Sequence, residues 1–236
     1  CDLEIEDLVS APLAAGLSSL APEERELGAT IIDMGGGTTS MAVYADKQMM
    51  HTSQLPIGGL HVTKDLAIGL STTLVHAERL KTLFGNVESS PDDEREMLPV
   101  PLVGEEDHQL AKVPRSMVVN IIRPRIEETF EYIKDRLDSS GLGRTAGNRV
   151  VLTGGACQLP GVREMAARML SRQVRLGRPA ALRGLPELAS GPAFSTAAGL
   201  LSWAAGDGRL FQDINLDGEP RVGLFRRLVN FLKERV

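Results

Sequence analysis

Aromatic residues, cysteines and long apolar runs are all scarce in this chain. Phe, Trp and Tyr make up 4% of its 236 residues, so aliphatic side chains must supply most of the packing. The two cysteines, Cys1 and Cys157, offer neither a disulfide framework nor a metal-ligand cluster. The sequence shows no signal peptide and no apolar run long enough to cross a bilayer. We therefore expect a soluble domain in a reducing cytoplasm rather than a secreted or membrane-spanning one.

Charge and composition narrow the class further. The formal net charge is −5, which argues against a general nucleic-acid-binding surface. Hydrophobic residues make up 42% and charged residues 24% of the chain, a balance that lets it bury a substantial core. The length suits one domain or two small ones.

The most informative stretch lies between residues 31 and 44. A β-branched run ends in the carboxylate of Asp33, the chain turns through Gly35, Gly36 and Gly37, and a second strand follows the hydroxyls of Thr38 and Thr39. Glycines let backbone N–H groups approach an anion closely, and a carboxylate at the strand end can hold Mg²⁺ through water beside phosphates. An ordinary glycine-rich hairpin is the alternative. The stretch fits neither the Walker pattern nor G-x-G-x-x-G before a helix.

A second glycine turn lies far downstream. Residues 149–153 are typical of a buried strand, which runs into Gly154 and Gly155, and residues 162–170 have the apolar spacing of an amphipathic helix. A helix N-terminus beside glycines suits phosphate or ribose oxygens. Two such turns favour a ligand cleft over two unrelated loops.

Together these residues resemble a known superfamily. The turn at residues 33–40 is similar to the second phosphate motif of the actin, Hsp70 and sugar-kinase superfamily, and residues 150–161 are similar to its adenosine motif. Within the superfamily the chain resembles the bacterial cell-division actin homologues of the FtsA family. Residues 23–28, the glycine turn after Thr153, a helix at 194–200 and a basic amphipathic tail share that family's order. The resemblance spans nearly the whole chain.

The resemblance implies an α/β, actin-like ATPase (ribonuclease H-like) fold, mainly its second lobe with subdomains 2A and 2B and a C-terminal amphipathic helix. FtsA chains begin with a first phosphate hairpin and a small lobe called 1C, which do not precede Cys1, so we expect an N-terminally truncated chain with an incomplete nucleotide site. The expected divisions are the end of the first lobe (1–26), 2A (27–60), 2B (61–123), 2A again (124–190), a helix returning to the first lobe (191–206), a flexible linker (207–222) and a membrane-targeting helix (223–236).

The family's cofactors would be ATP and Mg²⁺. Glu78 and Lys81 lie three apart on a predicted helix at 74–84 and share a face, and the resemblance implies that they contact ribose and the purine edge. A surface ion pair is the alternative. The implied ligand set therefore comprises Asp33, which would also hold Mg²⁺, Gly35, Gly36, Gly37, Thr38, Thr39, Glu78, Lys81, Gly154 and Gly155.

The remaining segments predict further elements and one partner surface. Residues 30–34, 38–44 and 48–55 predict a three-stranded meander, and residues 88–109 an acidic, solvated hairpin or mobile loop. A long helix at 116–137 contains Pro124, which predicts either a kink or a start of the main helix there. By resemblance this region receives the acidic tail of the tubulin-like FtsZ, with Arg123 and Arg125 as candidate contacts. Ordinary solvation explains these arginines equally well.

No catalytic residue is predicted. The four histidines show no metal-ligand pairing, Ser40 and Ser195 lack a Ser-His-Asp context, and Cys157 is better explained as a small packed residue than as a nucleophile.

The C-terminal residues 223–236 carry the second functional signal. Their apolar side chains share an arc of roughly 160° on a helix, and four basic residues outnumber Glu234. A helix docked on the protein's own core is the alternative, but the polar linker before it and the positive charge favour an anionic membrane surface. Fourteen residues are too few to span a bilayer. The predicted membrane contacts are Leu224, Phe225, Arg226, Arg227, Leu228, Phe231, Leu232 and Lys233.

The sequence therefore predicts an ATP-binding, actin-like division protein that tethers FtsZ filaments to the cytoplasmic face of the inner membrane as a peripheral protein. It would form protofilaments, contact other division proteins and turn ATP over slowly at best. Two alternatives share the fold. A sugar kinase would need a catalytic carboxylate and a sugar pocket, which we do not find, and a pilus-assembly scaffold would lack the basic terminal helix.

Overall fold

A computed structural model describes residue 5 and residues 7–104, 110–143, 145–179 and 184–206. The predicted flexible linker, the whole terminal helix and the second acidic cluster at 105–107 lie outside these residues.

One five-stranded mixed sheet forms the centre of the fold. Its strands are β1 (Ala29–Met34), β2 (Thr39–Ala45), β3 (Gln48–Leu55), β6 (Arg149–Thr153) and β7 (Gln173–Leu176), in the order β3-β2-β1-β6-β7. The predicted meander is confirmed, with antiparallel β1–β2 and β2–β3 pairs. β1 and β6 are parallel. Parallel strands point their carboxyl ends the same way, so both glycine turns leave the same edge of the sheet.

Helices cover both faces of this sheet. The helices α1 (Ala11–Ser19) and α7 (Ser195–Ala204) pack together beside a core that includes Ile31 and Tyr44, and α2 (Pro22–Leu27) contacts β2. The other face carries α3 (Gly59–Gly69), α4 (Leu74–Phe84), α5 (Arg115–Ser139) and α6 (Val162–Leu170), whose apolar side chains share one continuous core with β1, β2 and β6. The central strands β1, β2 and β6 are therefore buried on both faces, whereas the edge strands β3 and β7 are partly exposed.

The acidic segment folds partly into a hairpin. Strands β4 (Met97–Pro101) and β5 (Leu110–Pro114) pair antiparallel, which agrees with the hairpin alternative. Arg115 anchors this hairpin, because its guanidinium donates to the carbonyl of Phe84 and to the carboxylate of Glu96, and it lies 3.4 Å from buried Asp93. The end of α4 and the start of α5 are thereby joined.

The long helix differs from one expectation. α5 is a single helix of 25 residues with Pro124 inside it, so the alternative that the main helix begins near Pro124 is wrong. Buried residues at 118, 122, 126, 130, 133 and 137 recur at helical spacing on both sides of the proline. Continuous packing on the core thus outweighs the hydrogen bond that proline removes. The predicted boundary between residues 123 and 124 lies inside this helix.

Candidate nucleotide site

The first glycine turn connects β1 to β2 and rests on the start of α3. Gly35 N–H donates to the carbonyl of Thr38 at 2.9 Å and closes the turn. The carbonyls of Gly35 and Gly36 accept the N–H groups of Gly59 and Leu60, at 2.9 and 2.8 Å. The turn lies so close to Gly58, the residue before α3, that a side chain has no room there. A Cβ on Gly58 would lie 2.5 Å from the carbonyl oxygen of Gly36. The turn is therefore fixed by the N-terminus of a helix.

Asp33 lies where the two turns meet. Its carboxylate is half-buried on β1 opposite Thr153 of β6, and Oδ2 accepts the Thr196 hydroxyl at 2.7 Å. Burial raises the pKa of Asp33 and the Thr196 hydrogen bond offsets part of that rise, so its pKa stays above the ordinary value. Keeping this carboxylate beside a glycine turn costs free energy, which is typical of a functional position.

The second turn is held against the first by Gly154. Its φ is +84°, and a Cβ there would run into the Asp33 carboxylate and the carbonyl of Met34. Gly155 then opens a short 3₁₀ turn, Gly155–Gln158, and Gly161 with φ +82° precedes α6. Glycine at 154 is thus what permits the two strand ends to lie side by side.

Helix α4 supplies the charged side of the site. Lys81 Nζ donates to Glu78 Oε2 at 2.7 Å, to Thr63 Oγ1 at 2.9 Å and to the carbonyl of Gly59 at 3.1 Å. Burial alone would raise the pKa of Glu78, but hydrogen bonds from Lys81 and Thr63, together with the Lys81 charge, hold it below its usual value. The pair is therefore more than an exposed ion pair, since it is tied to α3.

These elements enclose a pocket of about 460 Å³, within the size range of small-molecule sites. Its walls combine glycine turns, apolar side chains and the charged pair. The lining residues are Gly35, Gly36, Gly59, Leu60, Val62, Glu78, Lys81, Thr82, Ile126, Gly155, Ala156, Gln158, Leu159 and Pro160.

The structure thus brings Gly35, Gly36, Glu78, Lys81 and Gly155 of the predicted ligand set to one pocket. The other five predicted residues lie outside its lining: Asp33, Gly37, Thr38, Thr39 and Gly154.

Thr39 is buried and donates its hydroxyl to the carbonyl of Ile57 at 2.8 Å, a structural use of that group. Gly37 and Thr38 are exposed at the turn. The expected roles of these residues stay predictions.

Two threonines whose hydroxyls hydrogen-bond to the predicted charged side chains were not themselves predicted. Thr196, in the first turn of α7, donates a hydrogen bond to Asp33, and Thr63 on α3 hydrogen-bonds to both members of the charged pair. A hydroxyl in the first turn of a predicted helix was the available signal for Thr196, and a lone threonine on an apolar helix face was the signal for Thr63. Neither pattern identifies the hydrogen-bond partner of the threonine, because the partners belong to elements distant in sequence.

Few side chains among the described residues could bind a metal ion directly. Across the described ranges no cluster of three His, Cys, Asp or Glu side chains could hold a metal. Mg²⁺ commonly uses one or two carboxylates, with phosphates and water completing its shell, so the single carboxylate of Asp33 fits a nucleotide-borne ion.

Cys157 is buried, and burial with the nearby charge of Asp33 raises the pKa of its thiol to about 12, which suits a packed residue.

The predicted partner arginines both have protein partners. Arg125 donates to both carboxylate oxygens of Asp65, at 2.6 and 3.1 Å, and to Glu128, which ties α5 to α3. Arg123 is exposed and pairs with Glu127 one turn along α5 at 2.8 Å. In the part of the chain that the structure describes, no helix is long and apolar enough to cross a membrane.

Comparison with known proteins decides the family. The sequence profile of the family described as "Cell division protein FtsA" matches residues 30–199, from β1 into α7. The chain belongs to the FtsA family. "Cell division protein FtsA" of Rhizobium meliloti (strain 1021) is 47% identical over 98% of this chain and 53% of its own length. The protein of the same name from Escherichia coli (strain K12) is 34% identical over 94% of this chain and 52% of its own length. The chain thus spans about half the length of these FtsA relatives.

Solved structures agree on the fold of this FtsA-family chain. MreB5 of Spiroplasma citri bound to ADP has a TM-score of 0.66 at 15% identity and covers 84% of this chain and 59% of its own. A PilM–PilN type IV pilus biogenesis complex gives 0.61 at 19% identity, over 83% and 52% of the two chains. At such identities the likeness shows the fold alone, and it confirms the predicted actin-like ATPase fold.

Proposed function

We propose that this chain forms part of an ATP-binding, actin-like cell-division protein that tethers FtsZ filaments to the cytoplasmic face of the inner membrane. One observation carries the proposal: in a member of the FtsA family, residues from two distant glycine turns and from α4 line a single pocket. Its glycine and helix-terminus surfaces suit phosphates, and its apolar walls with an ionised Glu78 suit a nucleoside.

Nucleotide binding is the first part of the proposal. The Spiroplasma citri protein of the same fold was solved bound to ADP and to AMPPNP, which supports a nucleotide in this pocket. Mg²⁺ would be held by Asp33 with the phosphates and would neutralise their charge. We expect ATP to act mainly as a conformational and polymerisation ligand, with turnover that is slow at best.

Isothermal titration of the protein with MgATP tests this part. We expect saturable binding that weakens at least tenfold, about 1.4 kcal/mol, in Glu78→Gln, because a ribose hydroxyl loses an ionised acceptor. Arg168→Gln on α6 breaks an exposed ion pair with Glu88 away from the pocket and should bind like wild type. Absence of binding by the wild-type protein would contradict the proposal.

Membrane attachment is the second part. The amphipathic pattern of residues 223–236 supports it, and the structure describes none of these residues. We expect the protein to co-sediment with anionic vesicles and Phe231→Glu to abolish this. Asn230→Glu adds the same charge on the opposite face of the helix and should retain binding apart from a small electrostatic loss. Equal sedimentation of a chain truncated at Gly223 would contradict the tether.

Binding of the FtsZ tail is the third part, with Arg123 and Arg125 as candidates. Arg123 is the better test, because it is exposed and its pair with Glu127 contributes little to stability. Arg123→Glu should weaken tail binding in a fluorescence-anisotropy titration. Arg163→Glu reverses a similarly paired arginine on α6 and serves as the control. Equal affinities for both variants and wild type would remove Arg123 from the interface.

Self-assembly into protofilaments and contact with other division proteins complete the proposal. A MamK double helical filament has the same fold, with a TM-score of 0.58 at 18% identity, which supports filament formation. The family membership favours this function over the sugar kinase and the pilus-assembly scaffold. A coupled kinase assay on common sugars should accordingly show no phosphotransfer.

A further inference from the structure

Thr63 occupies a central place in the charged side of the pocket although the pocket lining does not include it. Its side chain is 2% exposed on α3. Its hydroxyl oxygen lies 2.5 Å from Glu78 Oε2, 2.9 Å from Lys81 Nζ and 3.0 Å from the carbonyl of Gly59. A single buried hydroxyl therefore touches both charged groups and the helix start that supports the first glycine turn.

Counting protons fixes the direction of these bonds. A hydroxyl has one proton and two lone pairs, and an ammonium has three protons and no acceptor. Lys81 donates its three protons to Gly59, Thr63 and Glu78. The Thr63 proton is then available for the Glu78 carboxylate, the stronger acceptor of its two neighbours. In this arrangement every ammonium proton of Lys81 is committed within the protein.

The two charged residues therefore face a ligand differently. The Lys81 side chain is 16% exposed and would have to give up a bond to reach a bound molecule. The Glu78 side chain is 49% exposed, and the described residues donate to its carboxylate only at Oε2. Oε1 is left to accept from the pocket. Glu78, the more exposed of the two, can therefore accept hydrogen bonds from a ligand but cannot donate one.

An ionised carboxylate recognises hydroxyl and N–H donors. The adjacent 2′- and 3′-hydroxyls of a ribose offer two such donors, whereas a 2′-deoxyribose offers one. Because a site built to accept from a hydroxyl rejects the analogue that lacks it, the orientation of Glu78 sets a preference for the sugar.

We propose that Thr63 is a positioning residue that fixes Glu78 to select ribonucleotides over 2′-deoxyribonucleotides. This inference rests on the proposed nucleotide function and deepens it. Thr63 acts through Glu78 without touching the ligand. Serine at 63 preserves the role, and valine, which has nearly the same shape but no hydroxyl, removes it.

A double-mutant cycle on the whole chain tests the inference, with isothermal titration of MgATP and Mg-2′-deoxyATP. Thr63→Val should weaken ATP binding about tenfold, as expected for a hydrogen bond to a charged group, and 2′-deoxyATP binding less than about threefold. Thr63→Ser should bind within about threefold of wild type. In a Glu78→Gln background, Thr63→Val should change ATP affinity by less than about twofold, since the group it acts through is gone.

Thr129→Val is the matched control. Thr129 is also a 2% exposed helical threonine, and its hydroxyl donates to the carbonyl four residues earlier, as the Thr63 hydroxyl can. It lies on α5, outside the pocket lining, so its variant should keep the ratio of ATP to 2′-deoxyATP affinity. Thermal unfolding of all variants separates binding effects from loss of the fold.

The outcomes distinguish the two proposals. If Thr63→Val weakens both nucleotides equally, or weakens ATP as much in the Glu78→Gln background, the positioning role is overturned while ATP binding by wild type still supports the proposed function. If wild-type protein binds neither nucleotide, the proposed function fails and the positioning role falls with it.

Discussion

Gly154→Ala should destabilise the protein far more than an alanine at an unconstrained glycine. Two costs add at this position. With φ +84° and ψ 163° the backbone lies in a region that is essentially restricted to glycine, where an alanine is strained by about 1–3 kcal/mol. Its Cβ would also overlap the backbone carbonyl of Met34, and overpacking of this kind costs about 1–3 kcal/mol. We expect a loss of about 3 kcal/mol, a large fraction of the stability of an ordinary domain.

Two other glycines separate these costs. Gly141 has φ +70°, and nothing lies within 4 Å of the place that an alanine methyl would take, so Gly141→Ala should cost only the strain, about 1 kcal/mol. Gly155 has no positive φ, and its Cβ would lie 3.8 Å from Ala193, an ordinary contact. Gly155→Ala should therefore leave stability nearly unchanged. Gly141 thus serves as the reference for a positive-φ glycine without a steric clash, and Gly155 as the reference for a glycine with neither cost.

The assay is urea unfolding followed by circular dichroism, with unchanged m-values required for comparison. A loss at Gly154 no larger than that at Gly141 would show that the two strand ends can move apart at little cost. In that case the close approach of Asp33 to the second turn would not require glycine at 154.

Three further sets of substitutions test how charged and buried polar side chains affect the stability of the fold. Burial raises the pKa of Asp33, so the folded state holds that proton more tightly than the unfolded state. Its contribution to stability falls as pH rises from the ordinary value of 3.8 through the folded pKa. Asp33→Asn cannot ionise, so it should become more stable than wild type as the pH rises through this range and should remain more stable at pH 7. Its MgATP binding should weaken. A difference in urea midpoints that does not change with pH would refute this. Thr30 is fully buried and its hydroxyl has no partner among the described residues, so Thr30→Val should raise the free energy of unfolding by about 1 kcal/mol, and a loss would indicate an overlooked partner. Arg125→Ala breaks a half-buried bidentate pair with Asp65 and should cost about 2 kcal/mol, whereas Arg123→Ala should cost under about 0.5 kcal/mol; equal costs would contradict the distinction.

Much of the fold can be predicted from the sequence, because local signals mark where its helices and strands begin and end. The predicted helix at 74–84 agrees with α4, since Thr73 caps its start and Gly85 follows its end. Pro12 occupies the second position of α1, in the first turn, where proline is tolerated. The edge strand β7 was missed, because its residues are polar and partly exposed and its pairing with β6 is decided by the tertiary fold.

The candidate site could also be predicted from the sequence only in part. Both glycine turns were found from sequence. At Gly154 a positive φ and close approach explain why glycine is needed, whereas the first turn was recognised from its run of three glycines, none of which has a positive φ. Thr63 and Thr196 were not found, because their roles depend on how α3, α4 and α7 pack around the strand ends. The pairing of Arg125 with Asp65 was hidden for the same reason, since it joins residues on two helices.

The hydrogen bond between Thr196 and Asp33 has a consequence for how the molecule folds, because it joins residues 163 positions apart. Contacts of such long sequence separation form only after most of the chain is available, and they slow folding. During synthesis the first glycine turn and α4 emerge well before β6 and α7, so we expect the pocket to be completed last. Pulse-labelled hydrogen exchange during refolding should then show late protection of Gly154 N–H, which donates to the carbonyl of Pro192. On this account a newly made chain would bind its ligand only after α7 has been synthesised.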